Sequence, residues 1–195
     1  LKLVGTTYGG TRQNIDDRYA LERGLTVIHT GASRPRPMAE FTIGLILSSL
    51  MHIHNYHHDM CSGEAWPRTK YPRGRILQDR PVGVIGLGRI GEGIIDLLRA
   101  FTGNLYVYSR HLSDADAQAK GVEKLSLDDV FSTCEVIILA GGYTPETHHM
   151  IRKEHFDRMQ PGALFVNIAR GGMVHQEEMI QALAERDLYL ALDVF

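Results

Sequence analysis

Three glycines carry the most specific chemistry in this sequence. Gly86, Gly88 and Gly91 follow the order G-x-G-x-x-G within Val82-Gly83-Val84-Ile85-Gly86-Leu87-Gly88-Arg89-Ile90-Gly91. A glycine at the first position makes a tight turn. One at the second lets the backbone approach a diphosphate, and one at the third lets a helix pack closely on a sheet. The helix that opens with Arg89 and Ile90 then has free N–H groups for phosphate oxygens. Three turn glycines with no ligand would give the same spacing, so context decides. A dinucleotide site needs a strand before the motif, an amphipathic helix after it and a second strand beyond. This chain supplies all three.

The end of that second strand selects the cofactor. NAD sites usually carry Asp or Glu there, which accepts hydrogen bonds from the adenosine ribose hydroxyls. The sequence instead reads Tyr106-Val107-Tyr108-Ser109-Arg110. Ser109 can hydrogen-bond a 2′-phosphate and Arg110 can pair with it. NADP(H) is therefore favoured and NAD(H) is possible; the alternative is that Arg110 is a solvated surface side chain. A second cluster, His52, His54, His57 and His58, has His54 and His58 at i, i+4, a spacing that can chelate a metal. No acidic residue completes an H-E-x-x-H motif, and no metal site is expected. Cys61 lies nearby, whereas Cys134 precedes a core strand and reads as a small buried residue.

These residues need a scaffold that brings strand ends together. From Pro81 onward the sequence alternates apolar strands, at 82–85, 105–108, 136–139, 163–168 and 188–194, with helical stretches. The first helix, 89–101, carries Ile90, Ile94, Leu97, Leu98 and Phe101 on one stripe. The others are 113–120 and 126–132, with Ser113 and Ser126 at N-cap positions, then 153–159 and 176–185. Continuous apolar strands alternating with helices predict an α/β fold: a doubly wound parallel sheet of Rossmann type with helices on both faces. Residues 81–195 are its dinucleotide-binding domain. Residues 1–37 read as a remnant of a companion domain: a strand at 1–8, a Gly9-Gly10 turn, a helix over 14–23 closed by Gly24, and a strand at 25–29. Residues 38–80 form the link. A helix runs from Pro37 to about residue 59, burying Phe41, Leu45, Ile46 and Leu50, and a polar, Pro- and Gly-punctuated loop covers 62–80.

Composition narrows the class. The 195 residues hold 21 Lys and Arg against 23 Asp and Glu, a net charge of −2, which disfavours general nucleic-acid binding. A hydrophobic fraction of 44 % can bury a core, so global disorder is excluded. Two cysteines are too few for a disulfide framework, which points to a cytoplasmic protein. No apolar run approaches the roughly 20 residues of a membrane span. Both ends fall inside strand-like runs, so the chain is expected to be a piece truncated on the C-terminal side of its domain.

Taken together, several segments resemble the D-isomer-specific 2-hydroxyacid dehydrogenases, the group that contains phosphoglycerate dehydrogenase and glyoxylate/hydroxypyruvate reductase. The matching stretches are Asn14-Ile15-Asp16, Met38-Ala39-Glu40-Phe41, Gly86 to Gly91, Thr144-Pro145-Glu146-Thr147, Val166-Asn167-Ile168-Ala169-Arg170-Gly171-Gly172 and Leu192-Asp193-Val194-Phe195. They span nearly the whole chain in the family's order. The resemblance implies that Arg170 holds the substrate carboxylate and polarises the keto oxygen, a task suited to a permanently charged, bidentate group. It also implies that Ile168 and Ala169 lie along the nicotinamide and that Asp193 accepts from its carboxamide. Gly141, Gly142 and Thr147 would contact the cofactor, and Gly10 and Thr11 would offer backbone N–H groups to the substrate. Arg170 as a surface ion-pair partner and Asp193 as a solvated acid are the plainer alternatives.

The departures from the family matter as well. The family completes its proton relay with a Glu shortly after Asp-Val-Phe and a His further on, and none of the ten histidines here stands at a matching position. The chain is expected to bind a dinucleotide without turning over by itself. Gly142 stands where the family usually has Pro, Thr11 where it has Gly, and His175 where an acid is common. The implied parent is an NAD(P)-dependent oxidoreductase acting on a small 2-keto or 2-hydroxy acid, a homodimer with no nucleic-acid or membrane partner. The alternative is a non-catalytic dinucleotide-sensing module of corepressor type, which turnover would distinguish.

Overall fold

The computed structural model describes residues 1–7 and 15–195. The expected Gly9-Gly10 turn and the expected helix start at Asn14 lie outside the described residues. Strands β1 (Leu3–Thr6) and β2 (Thr26–His29) pair in parallel as a separate two-stranded sheet, with Leu3 opposite Thr26. Helix α1 (Asp17–Glu22) connects them. Its N-cap is Asp16, whose carboxylate accepts from the Tyr19 N–H at 2.9 Å, and the left-handed Gly24 follows its last turn.

The long helix expected over 37–59 is two helices, α2 (Pro35–Leu50) and α3 (Ile53–Cys61). The break is His52, which takes a left-handed conformation at φ 54° and is buried. Its ring stacks on Tyr71 at 5.9 Å and lies 5.7 Å from Tyr189. The Leu50 carbonyl accepts from the Arg75 N–H at 2.9 Å. Tertiary packing thus ends a pattern that local propensity would have continued. The 62–80 loop is then tied back to α3 by the buried Asp59, which accepts from Lys70 Nζ at 2.8 Å and from the Tyr71 hydroxyl at 2.7 Å. Those two bonds, Lys70 first, lower the Asp59 pKa. The buried stripe of α2 is Ala39, Thr42, Ile43, Ile46 and Leu50, with Leu45 at its margin. Phe41, expected inside, is 44 % exposed, because two residues on from Ala39 is about 200° around the helix.

The main sheet has six parallel strands in the order β5-β4-β3-β6-β7-β8. In chain order its elements are β3 (Val82–Ile85), α4 (Arg89–Leu98), β4 (Leu105–Tyr108), α5 (Asp114–Ala119), β5 (Glu123–Lys124), α6 (Leu127–Thr133), β6 (Val136–Leu139), α7 (Lys153–Arg158), β7 (Leu164–Asn167), α8 (Gln176–Glu185) and β8 (Tyr189–Leu192). The doubly wound α/β expectation holds. Helix α4 ends at Leu98 rather than at residue 101, and the strands expected over 1–8, 163–168 and 188–194 are each shorter. The two-residue β5 was not legible in the sequence. Ser113 and Ser126 cap α5 and α6, each accepting a backbone N–H at 3.1 Å.

Alternate residues of the central strands feed two cores. Val82, Val84, Val136, Ile138, Leu164 and Val166 face α2 and α4, together with Ile94 and Leu98. Ile85, Ile137, Leu139 and Phe165 face the other side, where Phe131 and Phe156 pack with the fully buried Cys134. Each large side chain buried in this way is worth roughly 1.5–3 kcal/mol, enough to fix the register of the strand ends that carry the glycine motif. Among the described residues, no helix is long and apolar enough to cross a membrane.

Burial, with Arg75 and His54 adding to it, lowers the His52 pKa. The unfolded chain takes up a proton near pH 6.5, while the folded ring stays neutral to a lower pH. This contribution to stability is complete above that value and is lost as pH falls through the folded pKa. The melting temperature is expected to drop between about pH 7.5 and 5.5. The His52→Asn variant, which tolerates the left-handed backbone, should melt lower at the higher pH and show a shallower drop. An equally steep drop in the variant would remove His52 from the pH response.

Candidate dinucleotide and substrate site

The chain runs outward from β3 through β4 to β5 and then crosses back to β6 on the other side of β3. A parallel sheet opens a crevice at the carboxyl ends of its strands where this reversal occurs. Here the crevice holds about 360 Å³. Gly86 contributes from β3, Tyr108 to His111 from β4, and Gly141, Gly142, Thr144, Glu146 and Thr147 from the segment after β6. The strand ends are tied together, since the Gly86 N–H donates to Tyr108 O at 2.8 Å and the Ala140 N–H donates to Ile85 O at 2.9 Å.

The three motif glycines have separate physical reasons. Gly86 has φ 101°, and a Cβ there would sit 2.4 Å from Gly141 Cα. At Gly91 a Cβ would lie 2.3 Å from Gly86 O, so the first turn of α4 rests directly on the β3 turn. At Gly88, the N-cap of α4, a Cβ would meet nothing within 4 Å. Two glycines are therefore demanded by the fold. The third keeps open the approach to the head of α4, where the first N–H groups have no helical acceptor. Arg89 is exposed on that first turn and Ile90 is half-buried against the core. An open approach with free N–H donors fits a diphosphate.

Ser109, half-buried, and Arg110, exposed, form one wall of the crevice. The short 3₁₀ turn Pro145–Thr147 forms the opposite wall and carries Glu146. Hydrogen bonds from the Thr144 side chain and then from its own backbone N–H lower the Glu146 pKa, and the charge of Arg110 adds to this. Thr147 shapes the turn. Its hydroxyl accepts from the Thr144 N–H at 2.7 Å and lies 3.0 Å from Gly142 O. Gly142, the residue in place of the family's Pro, is thus held at its carbonyl, and a Cβ there would meet nothing within 4 Å.

Beside the crevice, the end of β7 presents Arg170. The backbone there is set by Asn167, which is 2 % exposed. Its side-chain oxygen accepts from the Ala169 N–H at 3.0 Å, and its amide donates to Arg170 O at 3.2 Å. Ile168 and Ala169 are buried under this bend, one in each core. Arg170 is exposed, with Nη1 2.6 Å from Ala169 O. Asp193, also exposed, follows β8 and joins the same edge through its N–H to Asn167 O at 2.9 Å. Gly10 and Thr11, expected to meet the substrate, lie outside the described residues.

The turn after Arg170, Gly171–Met173, is clamped by residues that belong to none of the sequence motifs. The His149 N–H donates to Gly172 O at 2.9 Å, and Ile151 N–H donates to Met173 O at 3.0 Å. His148 and His149 stack at 3.8 Å, His175 adds a third ring 4.8 Å from His149, and the Tyr143 hydroxyl lies 2.9 Å from His148 Nδ1. Desolvation, then His148 and His175, lowers the His149 pKa. Asn167 had a visible signal, a polar residue three positions before Arg170 at a strand end. The ring cluster had none, because it joins residues far apart in the chain. Among the described residues no group of three His, Cys, Asp or Glu side chains is arranged to hold a metal ion, and the His52–His58 run divides between the buried His52 and the exposed His54, His57 and His58 on α3.

The sequence profile of the D-isomer-specific 2-hydroxyacid dehydrogenase NAD-binding domain matches residues 43–195. The D-3-phosphoglycerate dehydrogenase of Methanocaldococcus jannaschii is 34 % identical over the whole chain, which spans 37 % of that protein. A D-lactate dehydrogenase from Aquifex aeolicus, solved with NAD and lactic acid, superposes with a TM-score of 0.84 at 32 % identity. That match covers 100 % of this chain and 58 % of the other. A glyoxylate reductase from Paecilomyes thermophila gives a TM-score of 0.82 at 25 % identity, again covering 100 % and 58 %. With its glycine motif at the switch point and Arg170 beside it, the chain belongs to the D-isomer-specific 2-hydroxyacid dehydrogenases and contains their NAD-binding domain.

Proposed function

We propose that the whole protein interconverts a small 2-keto acid and the corresponding D-2-hydroxy acid with a nicotinamide dinucleotide. The observation that carries this reading is the placement of Arg170, exposed on a bend that the buried Asn167 locks beside the crevice. In this reading the diphosphate sits at Gly88, Arg89 and Ile90, between the structural glycines Gly86 and Gly91. The adenosine end lies between Ser109–Arg110 and the 141–147 turn. Ile168 and Ala169 flank the nicotinamide, and Asp193 accepts from its carboxamide. A bound reduced nicotinamide supplies the hydride.

Arg170 holds the substrate carboxylate and stabilises charge on the keto oxygen, with Gly10 and Thr11 adding backbone donors. The new hydroxyl also needs a proton. None of the histidines among residues 1–195 matches the family's relay, so a polypeptide limited to these residues binds the dinucleotide without appreciable turnover. A missing general acid costs about 10²–10⁴-fold. Residues 1–37 then belong to the substrate domain, 38–80 to the link and 81–195 to the dinucleotide-binding domain of a cytoplasmic homodimer. A whole protein that binds the dinucleotide but reduces no 2-keto acid would instead be a dinucleotide sensor of corepressor type.

In the whole protein, Arg170→Lys is expected to lower kcat/KM for 2-keto acids by about 10²-fold, since Lys keeps the charge and loses the fork. Dinucleotide affinity should stay within about twofold of the wild type, because the change removes no proposed cofactor contact. Unaltered kinetics would remove Arg170 from this role.

The protein is also expected to prefer NADPH to NADH. One charge-assisted hydrogen bond of about 1.5–3 kcal/mol corresponds to roughly tenfold to a hundredfold. Fluorescence titration with both reduced cofactors should show this preference reversed by Ser109→Asp and diminished by Arg110→Ala. Equal affinities in the wild type, or an Arg110→Ala change that weakens both cofactors alike, would defeat it.

A further inference from the structure

Ser109 leaves the end of β4 without an acid, yet the crevice does contain one. Glu146 lies on the facing wall, contributed by the segment after β6, and lines the same cavity as Ser109 and Arg110. It is an exposed residue of the crevice lining. Its position is set by a closed turn. Thr147 Oγ1 receives the Thr144 N–H at 2.7 Å, the Thr147 N–H returns to Thr144 O at 3.1 Å, and the His148 N–H donates to the same oxygen at 3.1 Å. Glu146 is therefore delivered on a fixed backbone, and its carboxylate interacts with the Arg110 charge.

A ligand entering between these walls meets a cation on one side and an anion on the other. For an adenosine ribose the two charges act in opposite senses. A 2′-phosphate is drawn to Arg110 and repelled by Glu146, whereas a 2′-hydroxyl is a donor that a carboxylate can accept. We propose that Glu146 is a second specificity-determining residue for the adenosine 2′ position, set against Arg110 from the opposite wall. This rests on the dinucleotide reading above. It makes the cofactor preference a balance between two loops rather than a property of the β4 end alone.

The test compares NADPH, NADH, 2′,5′-ADP and 5′-AMP on the wild-type protein and on Glu146→Gln, which keeps the side-chain shape and removes the charge. Removing one charge several ångströms away in a solvated crevice should tighten NADPH and 2′,5′-ADP by about three- to tenfold. NADH and 5′-AMP should be unchanged or weaker. High salt should shrink the gain, because the group is exposed. A melting temperature equal to the wild type shows that the turn is intact, and Glu146→Ala repeats the comparison without the amide. If all the ligands bind but their ratios do not move in either variant, or move alike with and without the 2′-phosphate, the role of Glu146 is overturned and the dinucleotide reading stands. If no ligand binds the wild type, the dinucleotide reading fails and this inference with it.

Discussion

The approach of three backbone segments at the carboxyl end of β3 governs the rest of the molecule. Gly86, with no side chain, lets the turn after β3 lie against Gly141, and Gly91 lets α4 rest on the Gly86 carbonyl. A methyl group at either position would overlap backbone atoms, which cannot move aside as a side chain can. This contact fixes where the head of α4 points and how far the β6 loop stands from the end of β4. The width of the crevice, and the separation of Ser109 and Arg110 from Glu146, follow from it.

The strands hold that contact in place. Val84 and Ile85 face opposite cores, so a slip of one residue would turn both apolar sets over. Beyond the strands, polar groups take over. Asn167 supports the bend that carries Arg170, and Thr147 closes the turn that carries Glu146. In both cases a short polar side chain satisfies backbone groups where no regular ladder exists, which is how a loop becomes rigid enough to orient a charged residue.

Legibility in the sequence followed the same division. The five main strands and the helices between them were readable because their apolar runs and Ser caps are local signals. The break at His52 was not, because it depends on Tyr71 and Tyr189, distant in the chain. Phe41 was misplaced for a related reason: hydrophobicity alone put it on the buried stripe, while the helical phase set by Ala39, Ile43 and Ile46 puts it outside. The glycine motif, Ser109 and Arg110 were legible as types at strand ends, and Arg170 through the family resemblance of its segment. Of the facing wall, Gly141, Gly142 and Thr147 were legible only through the family resemblance, and nothing local shows that Glu146 stands across from Arg110. The three-ring cluster of His148, His149 and His175 was hidden by the same non-local pairing.

The fold needs Gly86 and Gly91, whereas Gly88 is proposed to serve only the ligand. Gly88→Ala tests this most directly, because a Cβ at that position meets nothing within 4 Å. The measurement is the affinity of the variant for NADH and NADPH, with its melting temperature recorded alongside. The expected result is a melting temperature within a few degrees of the wild type and an affinity for both cofactors reduced by about tenfold or more, since the methyl group would stand where the diphosphate is proposed to approach. A variant that melts normally and binds both dinucleotides as tightly as the wild type would contradict it.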